Sequence, residues 1–258
     1  MRIATWNVNS LKARLPRVEE WLGYAHPEVL CMQETKLADS NFPVMAFEAL
    51  GYEVAFHGGA GRYNGVAIAS RIGIENPVAG FSGEEESEIV ESRLLSATCG
   101  GVRVSSVYVP NGRAVGTEHY DAKLAWLDRL ATHLQESCDP DGDVAICGDF
   151  NVAPEDRDVW DPSKVNGATH VSPPERERLQ ALLDWGLVDA FRLRYEDDRL
   201  FSWWDYRAGD FHQHRGMRID LVLVTRKLAD RVSYALIDRF ARKGKLPSDH
   251  APLLVDVD

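Results

Sequence analysis

Short apolar segments recur along the whole of this chain, and their number and length constrain the fold more than any other feature. Ten of them have the residue types of β-strands: residues 2–6, 29–33, 52–56, 65–70, 94–98, 102–109, 144–147, 219–224, 232–237 and 253–257. Segments 94–98 and 102–109 are joined by Gly100-Gly101, as in a β-hairpin, whereas other neighbours are separated by a helix. This order predicts a mixed sheet, or two packed sheets covered by helices, rather than an all-parallel fold.

Three longer segments are predicted as helices. Residues 11–21 follow Ser10, a common N-cap residue, and residues 117–134 begin with Thr117 and an acidic residue. Residues 175–183 follow Pro173-Pro174 and end before Gly186, an asymmetry that is typical of helix boundaries. Both halves of the 258-residue chain have this texture without a linker between them, so we predict one domain over residues 1–258.

The composition is that of an ordinary globular protein with an acidic balance. The chain has 29 Lys and Arg against 40 Asp and Glu, which gives a formal net charge of −11. This balance argues against a protein that binds nucleic acid through an overall positive charge, but it is compatible with a local basic face. We find neither a signal peptide nor an apolar run of the roughly 18 residues that a spanning helix needs. The four cysteines are scattered, so we expect reduced, buried thiols and a cytoplasmic protein without membrane contact.

Six of the predicted strand ends carry polar residues where a core strand would have apolar ones. These residues are Asn7 and Asn9, Glu34, Tyr108 and Asn111, Asp149 and Asn151, Asp220, and Asp249 with His250. Mg²⁺ takes oxygen ligands, typically from one or two carboxylates together with waters and substrate phosphate. A histidine beside a carboxylate can hold a phosphate charge and assist proton movement. The joint placement of these residues predicts one polar site at the rim of a sheet sandwich.

Each of these residues taken alone also fits an ordinary structural role. The sequence Gly-Asp-Phe-Asn at 148–151 is typical of a turn, and Asn7 with Asn9 fits an Asx turn. Ser-Asp-His at 248–250 fits an exposed turn before the last strand, and Glu34 alone would fit a helix cap or a surface position. The interpretation as a site therefore depends on the set and not on any one member.

Eight sequence blocks carry a resemblance that spans nearly the whole chain. They are Trp-Asn-Val-Asn-Ser-Leu-Lys-Ala-Arg (6–14), Gln-Glu-Thr-Lys (33–36), Gly-Val-Ala-Ile-Ala-Ser (65–70), Tyr-Val-Pro-Asn-Gly (108–112), Gly-Asp-Phe-Asn-Val-Ala (148–153), Phe-Ser-Trp-Trp-Asp-Tyr-Arg (201–207), Arg-Ile-Asp (218–220) and Ser-Asp-His-Ala-Pro (248–252). With them the chain resembles the exonuclease III family of apurinic/apyrimidinic endonucleases, within the superfamily of endonucleases, exonucleases and phosphatases. The resemblance implies a four-layer α/β sandwich, in which two mixed β-sheets pack face to face and are flanked by helices.

The resemblance also implies a divalent metal site. Mg²⁺ is the implied ion, with Mn²⁺ as an alternative, and Glu34 is its principal ligand. Asp249 would lie in the outer shell of the metal or at a second metal position. The full set implied at or near the metal is Asn7, Glu34, Asp149, Asn151, Asp249 and His250.

Five residues are implied as the catalytic set. Asp149 would orient or deprotonate the attacking water, while Asn151 and Tyr108 would hold the scissile phosphate. His250 would donate to the same phosphate, and Asp220 would accept from its other ring nitrogen and fix the tautomer. In-line attack at phosphorus needs a positioned water and groups that neutralise the charge on the phosphoryl oxygens.

A pocket for an extruded abasic deoxyribose is implied as well. Trp203, Met217 and Ile219 occupy the positions of its walls, and a small apolar pocket admits a sugar without a base while it excludes a normal nucleotide. The flexible Met217 side chain suggests the hypothesis that selectivity against ordinary 3′ termini is relaxed. Because two adjacent tryptophans cannot both face inward on a strand, residue 203 or 204 is expected outside the core. Further candidates for substrate contacts are Asn9, Arg62 and Asn111.

The implied activity is that of a Mg²⁺-dependent phosphodiesterase that incises duplex DNA 5′ to abasic sites and leaves a 3′-hydroxyl. Exonuclease action from 3′ ends and removal of blocked 3′ ends are implied too. The resemblance also implies that the enzyme is a monomer. Two alternatives stay open: a hydrolase of phospholipids or inositol phosphates, and a catalytically silent relative that binds protein or RNA. Residues 192–250 hold 13 Lys and Arg against 9 Asp and Glu, so the acidic total is compatible with a basic face around an acidic metal centre.

Overall fold

The computed structural model describes residues 1–59, 63–81 and 91–258, and the strands in this part of the chain form two six-stranded sheets. The first contains, in spatial order, β11 (Val232–Ile237), β12 (Leu253–Val257), β1 (Arg2–Asn7), β2 (Val29–Gln33), β4 (Val66–Ser70) and β3 (Glu53–His57). The second contains β5 (Glu75–Ala79), β6 (Leu94–Cys99), β7 (Val102–Tyr108), β8 (Val144–Asp149), β10 (Asp220–Thr225) and β9 (Leu187–Asp189). Both sheets are mixed, because β1 pairs with β2 and β7 with β8 in parallel while their other neighbours are antiparallel.

Helices cover the outer face of each sheet. The α-helices are α1 (Leu11–Ala25), α2 (Val44–Glu48), α3 (Glu118–Ser137), α4 (Pro162–Val165), α5 (Pro173–Trp185) and α6 (Arg226–Ala229). Apolar residues of α1 and α2 pack on the first sheet, and those of α3 and α5 pack on the second. This arrangement is the four-layer α/β sandwich with two mixed sheets that the sequence implied.

A separate core lies between the two sheets and explains why the strands are so apolar. Ile3, Cys31 and Ile68 from the first sheet meet Val104 and Cys147 of the second, all without solvent exposure. Alternate residues of the same strands face the helices instead. Because both faces of each central strand are covered, charged residues lie only near the strand ends, and the polar residues within the strands are small hydroxyls such as Thr5, Ser96 and Ser105.

Most predicted element boundaries are confirmed. Gly100 and Gly101 have φ of 55° and 84°, and a turn with positive φ at both central residues joins β6 and β7 as the predicted hairpin. Thr117 caps α3, since its Oγ1 accepts from the Tyr120 N–H at 3.3 Å. The expected cap at Ser10 is wrong, because Ser10 has φ 84° and its side chain makes no capping hydrogen bond.

The start of α1 is fixed by main-chain contacts instead. The N–H of Ser10 donates to the Glu34 carbonyl at 2.7 Å, and that of Leu11 donates to Thr35 at 3.0 Å. These bonds join α1 to the loop after β2, which carries one of the predicted site residues. None of the helices in the described part of the chain combines the length and hydropathy that a membrane crossing requires.

Candidate active site

The two sheets bring the polar strand ends to a single rim of the sandwich. In the first sheet β1 and β2 run parallel and end side by side, with Asn7 at one end and Glu34 directly after the other. In the second sheet β7 and β8 end in parallel at Tyr108 and Asp149. β10 runs antiparallel to β8, so its first residue, Asp220, lies opposite Asp149. The segment before β12, which runs antiparallel to β1, reaches the same rim.

Side-chain turns end two of these strands. The Asn7 Oδ1 atom accepts from the Asn9 N–H at 3.0 Å, and the Asp149 Oδ1 atom accepts from the Asn151 N–H at 2.9 Å. Both are Asx turns, so the structural role considered for these residues is present and leaves their other polar atoms to the site. Glu34 and Asn151 both have φ 51°, which takes the backbone out of the extended form directly at the rim.

Two carboxylates and one imidazole form the centre of the site. One Asn7 amide nitrogen donates to the Glu34 Oε1 atom at 2.8 Å and to the Asp149 Oδ2 atom at 2.9 Å. One potential ligand atom each from Glu34, Asp149 and His250 lies within 4.8 Å of the others. A pair of carboxylates that leaves room for water and phosphate is the donor set that Mg²⁺ prefers, so these residues fit a divalent cation. Lys36 Nζ lies 2.7 Å from the Glu34 Oε2 atom and offsets part of the negative charge.

The imidazole of His250 is held by a buried carboxylate. Its Nδ1 atom lies 2.8 and 3.1 Å from the two oxygens of Asp220, and its Nε2 atom lies 3.8 Å from the Asp149 Oδ2 atom. Burial lowers the pKa of His250, but the charges of Asp220 and Asp149 outweigh burial and raise this pKa to about 10. The ring is then a cation at neutral pH with no lone pair for a metal. With Nδ1 held by Asp220, the Nε2 atom is the ring nitrogen that faces Asp149 and the centre of the site.

Burial also changes the acidity of Asp149 and Tyr108. It raises the pKa of Asp149 well above that of an ordinary aspartate, while the charged ring of His250 lowers it. Burial, followed by the charges of Glu34 and Asp149, raises the pKa of Tyr108. Tyr108 is therefore a neutral phenol that can donate a hydrogen bond, and the guanidinium of Arg93 stacks 4.7 Å from its ring centre.

Asp249 lies beside this centre and not in it. Its Oδ1 atom accepts from the Asn9 amide at 2.9 Å, and its Oδ2 atom accepts from the indole N–H of Trp203 at 3.2 Å. Lys36 donates in turn to the Asn9 Oδ1 atom at 2.6 Å. The carboxylate thus connects the centre to the wall of the predicted pocket.

Asn151 and Asn111 form an amide pair at the edge of the site. The Asn151 amide nitrogen donates to the Val109 carbonyl at 3.0 Å, and its Oδ1 atom accepts from the Asn111 amide at 3.2 Å. In this arrangement the Asn151 oxygen faces Asn111, although the resemblance implied Asn151 near the metal as well.

The predicted pocket walls do come together. Met217 and Ile219 are buried in an apolar cluster with Val159, and the half-buried Trp203 packs against it. Trp203 also forms β-bridges to Met217 and to His250, which sets the pocket next to the imidazole. Trp204 is fully buried, so one tryptophan lies in the core and the other outside it, as predicted.

A cleft of about 950 Å³ extends from the site along α3. Tyr108 and Asn111 line it near the centre. The charged residues further along it are Glu91, Arg93, Arg113 and Arg129, and His119 lies among them. Arg62, predicted as a substrate contact, lies outside the described residues. Among the described lining residues three arginines stand against one glutamate, and that glutamate pairs with Arg93 at 2.6 Å.

Three residues that contact members of the site were not predicted from the sequence: Ser202, Lys36 and Lys123. Ser202 Oγ donates to the Asp220 Oδ2 atom at 2.6 Å, and Lys36 pairs with Glu34. Both lie inside quoted sequence blocks, but a hydroxyl or a lysine there has no distinctive spacing. Lys123 had a readable signal, because it stands on the apolar stripe of a predicted helix.

Known proteins of one family are similar to this chain over nearly its whole length. Residues 4–250 match the model of the Endonuclease/Exonuclease/phosphatase family. The chain is 34% identical over 265 residues to exodeoxyribonuclease III of Haemophilus influenzae, with 98% of each chain covered. It is similar to the structure of an AP endonuclease from Archaeoglobus fulgidus, with a TM-score of 0.94, 39% identity, and 100% and 99% of the chains covered. A 3′ phosphatase from Neisseria bound to a product DNA hairpin matches with a TM-score of 0.95, 36% identity and the same coverage. The chain belongs to the Endonuclease/Exonuclease/phosphatase family.

Proposed function

We propose that this protein is a Mg²⁺-dependent DNA-repair phosphodiesterase that acts at abasic sites and at 3′ ends of duplex DNA. It incises 5′ to the abasic site and removes nucleotides or blocking groups from 3′ ends, so that a 3′-hydroxyl is left. The observation that supports this proposal most is the centre itself. The carboxylates of Glu34 and Asp149 lie within 4.8 Å of the buried imidazole of His250, next to the apolar cluster that holds Met217 and Ile219.

The metal would be held by Glu34 and Asp149, with Asn7 orienting both carboxylates. When bound, the cation neutralises charge on the phosphate and its leaving oxygen. Mn²⁺ is the alternative ion, because it accepts the same oxygen ligands.

The protein groups divide the remaining work. Asp149 accepts a proton from the attacking water, which it orients from the centre of the site. The Nε2–H of His250 and the hydroxyl of Tyr108 donate to the phosphoryl oxygens. Asn151 contacts the same phosphate from the adjacent turn. Preorganised donors of this kind stabilise the charge that develops in the transition state.

Substrate selection follows from the surroundings of the centre. The pocket of Trp203, Met217 and Ile219 receives a sugar without a base, and the arginine-lined cleft receives the DNA backbone. A cleft lined by arginines attracts the phosphate backbone of DNA. The DNA hairpin bound to the Neisseria phosphatase supports the same choice.

We also propose that the enzyme works as a monomer in the cytoplasm. The described chain alone supplies every residue of the centre. All four of its cysteines are free thiols, which agrees with a reducing compartment.

The proposal is tested with three end-labelled duplexes, each incubated with Mg²⁺ or with EDTA. One carries a single tetrahydrofuran abasic analogue, one a 3′-phosphate, and one a recessed 3′-hydroxyl. Metal-dependent incision at the analogue and release of the 3′-phosphate are expected, and Glu34→Gln is the matched inactive control. If no duplex is cleaved, the proposal is wrong. If only the 3′ ends are processed, the abasic-site part is wrong.

A further inference from the structure

A buried lysine lies beneath the amide pair of the site. Lys123 projects from α3 and its side chain has no solvent exposure, which is rare for lysine unless it is paired. Its Nζ atom donates to the main-chain carbonyl of Asn151 at 2.6 Å and to that of Asn111 at 3.3 Å. Its third partner is the carboxylate of Glu175. Two of its three acceptors therefore belong to the residues that form the amide pair.

The carboxylate of Glu175 is equally buried and fully engaged. One oxygen accepts from the His170 N–H at 2.9 Å and the Thr169 hydroxyl at 3.2 Å. The other accepts from the N–H and hydroxyl of Ser172, at 3.0 and 2.6 Å, and so begins α5 with a capping box. Glu175 thus fastens the loop before α5 and holds Lys123 at the same time.

The backbone of Asn151 is held from several sides. It has φ 51°, in the left-handed region that asparagine adopts more readily than most residues. Its carbonyl accepts from Lys123 and lies 2.5 Å from the Nδ1 atom of His170, while its N–H donates to Asp149. Partners from different elements therefore fix the peptide groups that set the direction of the Asn151 amide.

Stability alone does not explain a buried charge at this point. Replacing a buried ion pair by uncharged residues of similar volume is often neutral or stabilising. The fit is also close, because a Cβ on Gly112, which has φ 82°, would lie 2.9 Å from the Lys123 Cδ atom. An apolar side chain would fill this space but would remove the one donor that joins both carbonyls, leaving Thr169 Oγ1 on Asn111 and His170 Nδ1 on Asn151.

We propose that the buried Lys123–Glu175 pair is a positioning device that fixes Asn111 and Asn151 at the reacting phosphate. The inference rests on the proposed phosphodiesterase function. It assigns a role in the reaction to Lys123 and Glu175, although neither of these two residues contacts the substrate.

The test uses the double variant Lys123→Met/Glu175→Gln, in which no charge is left buried and unpaired. Its melting temperature is expected to fall, because the amide group that replaces one Glu175 oxygen cannot accept the hydrogen bonds made there, and kcat is therefore measured well below the unfolding transition. Its kcat on the cleaved duplex is expected to fall by about 10²-fold with little change in KM, since misplacement by about 1 Å can cost this much. The matched control is Arg2→Met/Asp256→Asn, which removes an ion pair at the opposite end of β1. That control is expected to keep the wild-type kcat.

A second measurement does not depend on activity. The side-chain amide NMR signals of Asn111 and Asn151 are expected to shift or broaden in the Lys123→Met/Glu175→Gln variant and to stay unchanged in the control. Unchanged signals, or wild-type kcat in a stably folded double variant, would overturn the inference. If the wild type itself cleaves no DNA, the proposed function is wrong, and the amide signals alone decide whether the pair positions these residues.

Discussion

Replacing Asp220 with asparagine is expected to lower the pH at which activity is lost on the alkaline side. Asp220 holds the Nδ1 atom of His250 at 2.8 Å, and both side chains are buried. In the wild type the pKa of His250 is about 10, so the imidazole stays a cation through neutral pH. Asparagine is nearly isosteric with aspartate but uncharged, so burial of the ring would then dominate and lower this pKa.

The size of the change follows from the geometry. Two unit charges about 4 Å apart, as for an imidazolium paired with a carboxylate, interact by about 4 kcal/mol at an effective dielectric constant near 20. Since 1.36 kcal/mol corresponds to one pKa unit, the alkaline limb of kcat/KM should move down by about three pH units. The activity of Asp220→Asn at pH 8 should then be about tenfold or more below that of the wild type, and the difference should narrow toward pH 6.

Stability gives an independent measure of the same pair. A histidine with a raised native pKa stabilises the protein fully below its unfolded pKa of about 6.5, and this contribution is lost as the pH rises through the native pKa. The free energy of unfolding of the wild type should therefore fall by up to about 1.4 kcal/mol per pH unit from this group between pH 7 and 10. Asp220→Asn should lack this slope.

The assay is kcat/KM on the tetrahydrofuran or 3′-phosphate duplex from pH 5.5 to 10, at saturating Mg²⁺. Ser202→Ala is the matched control, because it removes the hydrogen bond to Asp220 but keeps its charge. It should leave the alkaline limb nearly in place. A uniform loss of activity at all pH values in Asp220→Asn would refute the electrostatic reasoning, since Asp220 would then act only through geometry.

Three further predictions concern the metal, the pocket and the cleft. Glu34→Gln should lower kcat by about 10²–10³-fold and weaken Mn²⁺ binding in calorimetry, and unchanged binding would remove Glu34 from the metal site. Met217→Ala should cost about 2–5 kcal/mol of unfolding free energy and raise cleavage at normal nucleotides relative to the abasic analogue; an unchanged ratio would count against the pocket. Arg113→Ala should reduce the slope of log(kcat/KM) against log[salt] by about 1, and an unaltered slope would place DNA elsewhere.

The central strands could be predicted because they are buried on both faces. β1 and β8, for example, are nearly continuous apolar runs, and the polar residues at their ends stand out for that reason. The two edge strands of the second sheet were missed, whereas β3 and β11 at the edges of the first were predicted. All five residues of β5 are exposed and one is a proline, while β9 has only three residues, so neither has the pattern that burial imposes.

The members of the site could be predicted, but their mutual arrangement could not. Sequence blocks identify Asn7, Glu34 and Asp149 as residues of one rim, yet only the strand pairing shows that one amide bridges both carboxylates. Lys123 interrupts an apolar stripe and is therefore noticeable. Its partner Glu175 lies 52 positions away and is joined to it only by the packing of α3 on α5.

The central claim is that Glu34 and Asp149 hold the divalent cation at which a DNA phosphate is hydrolysed. The most direct measurement is anomalous diffraction from crystals soaked in Mn²⁺ together with an uncleaved abasic-analogue duplex. An anomalous peak is expected in contact with a carboxylate oxygen of Glu34 and with the phosphate 5′ to the analogue, and it should be lost in Glu34→Gln. A peak remote from both carboxylates, or a phosphate bound away from His250, would contradict the central claim.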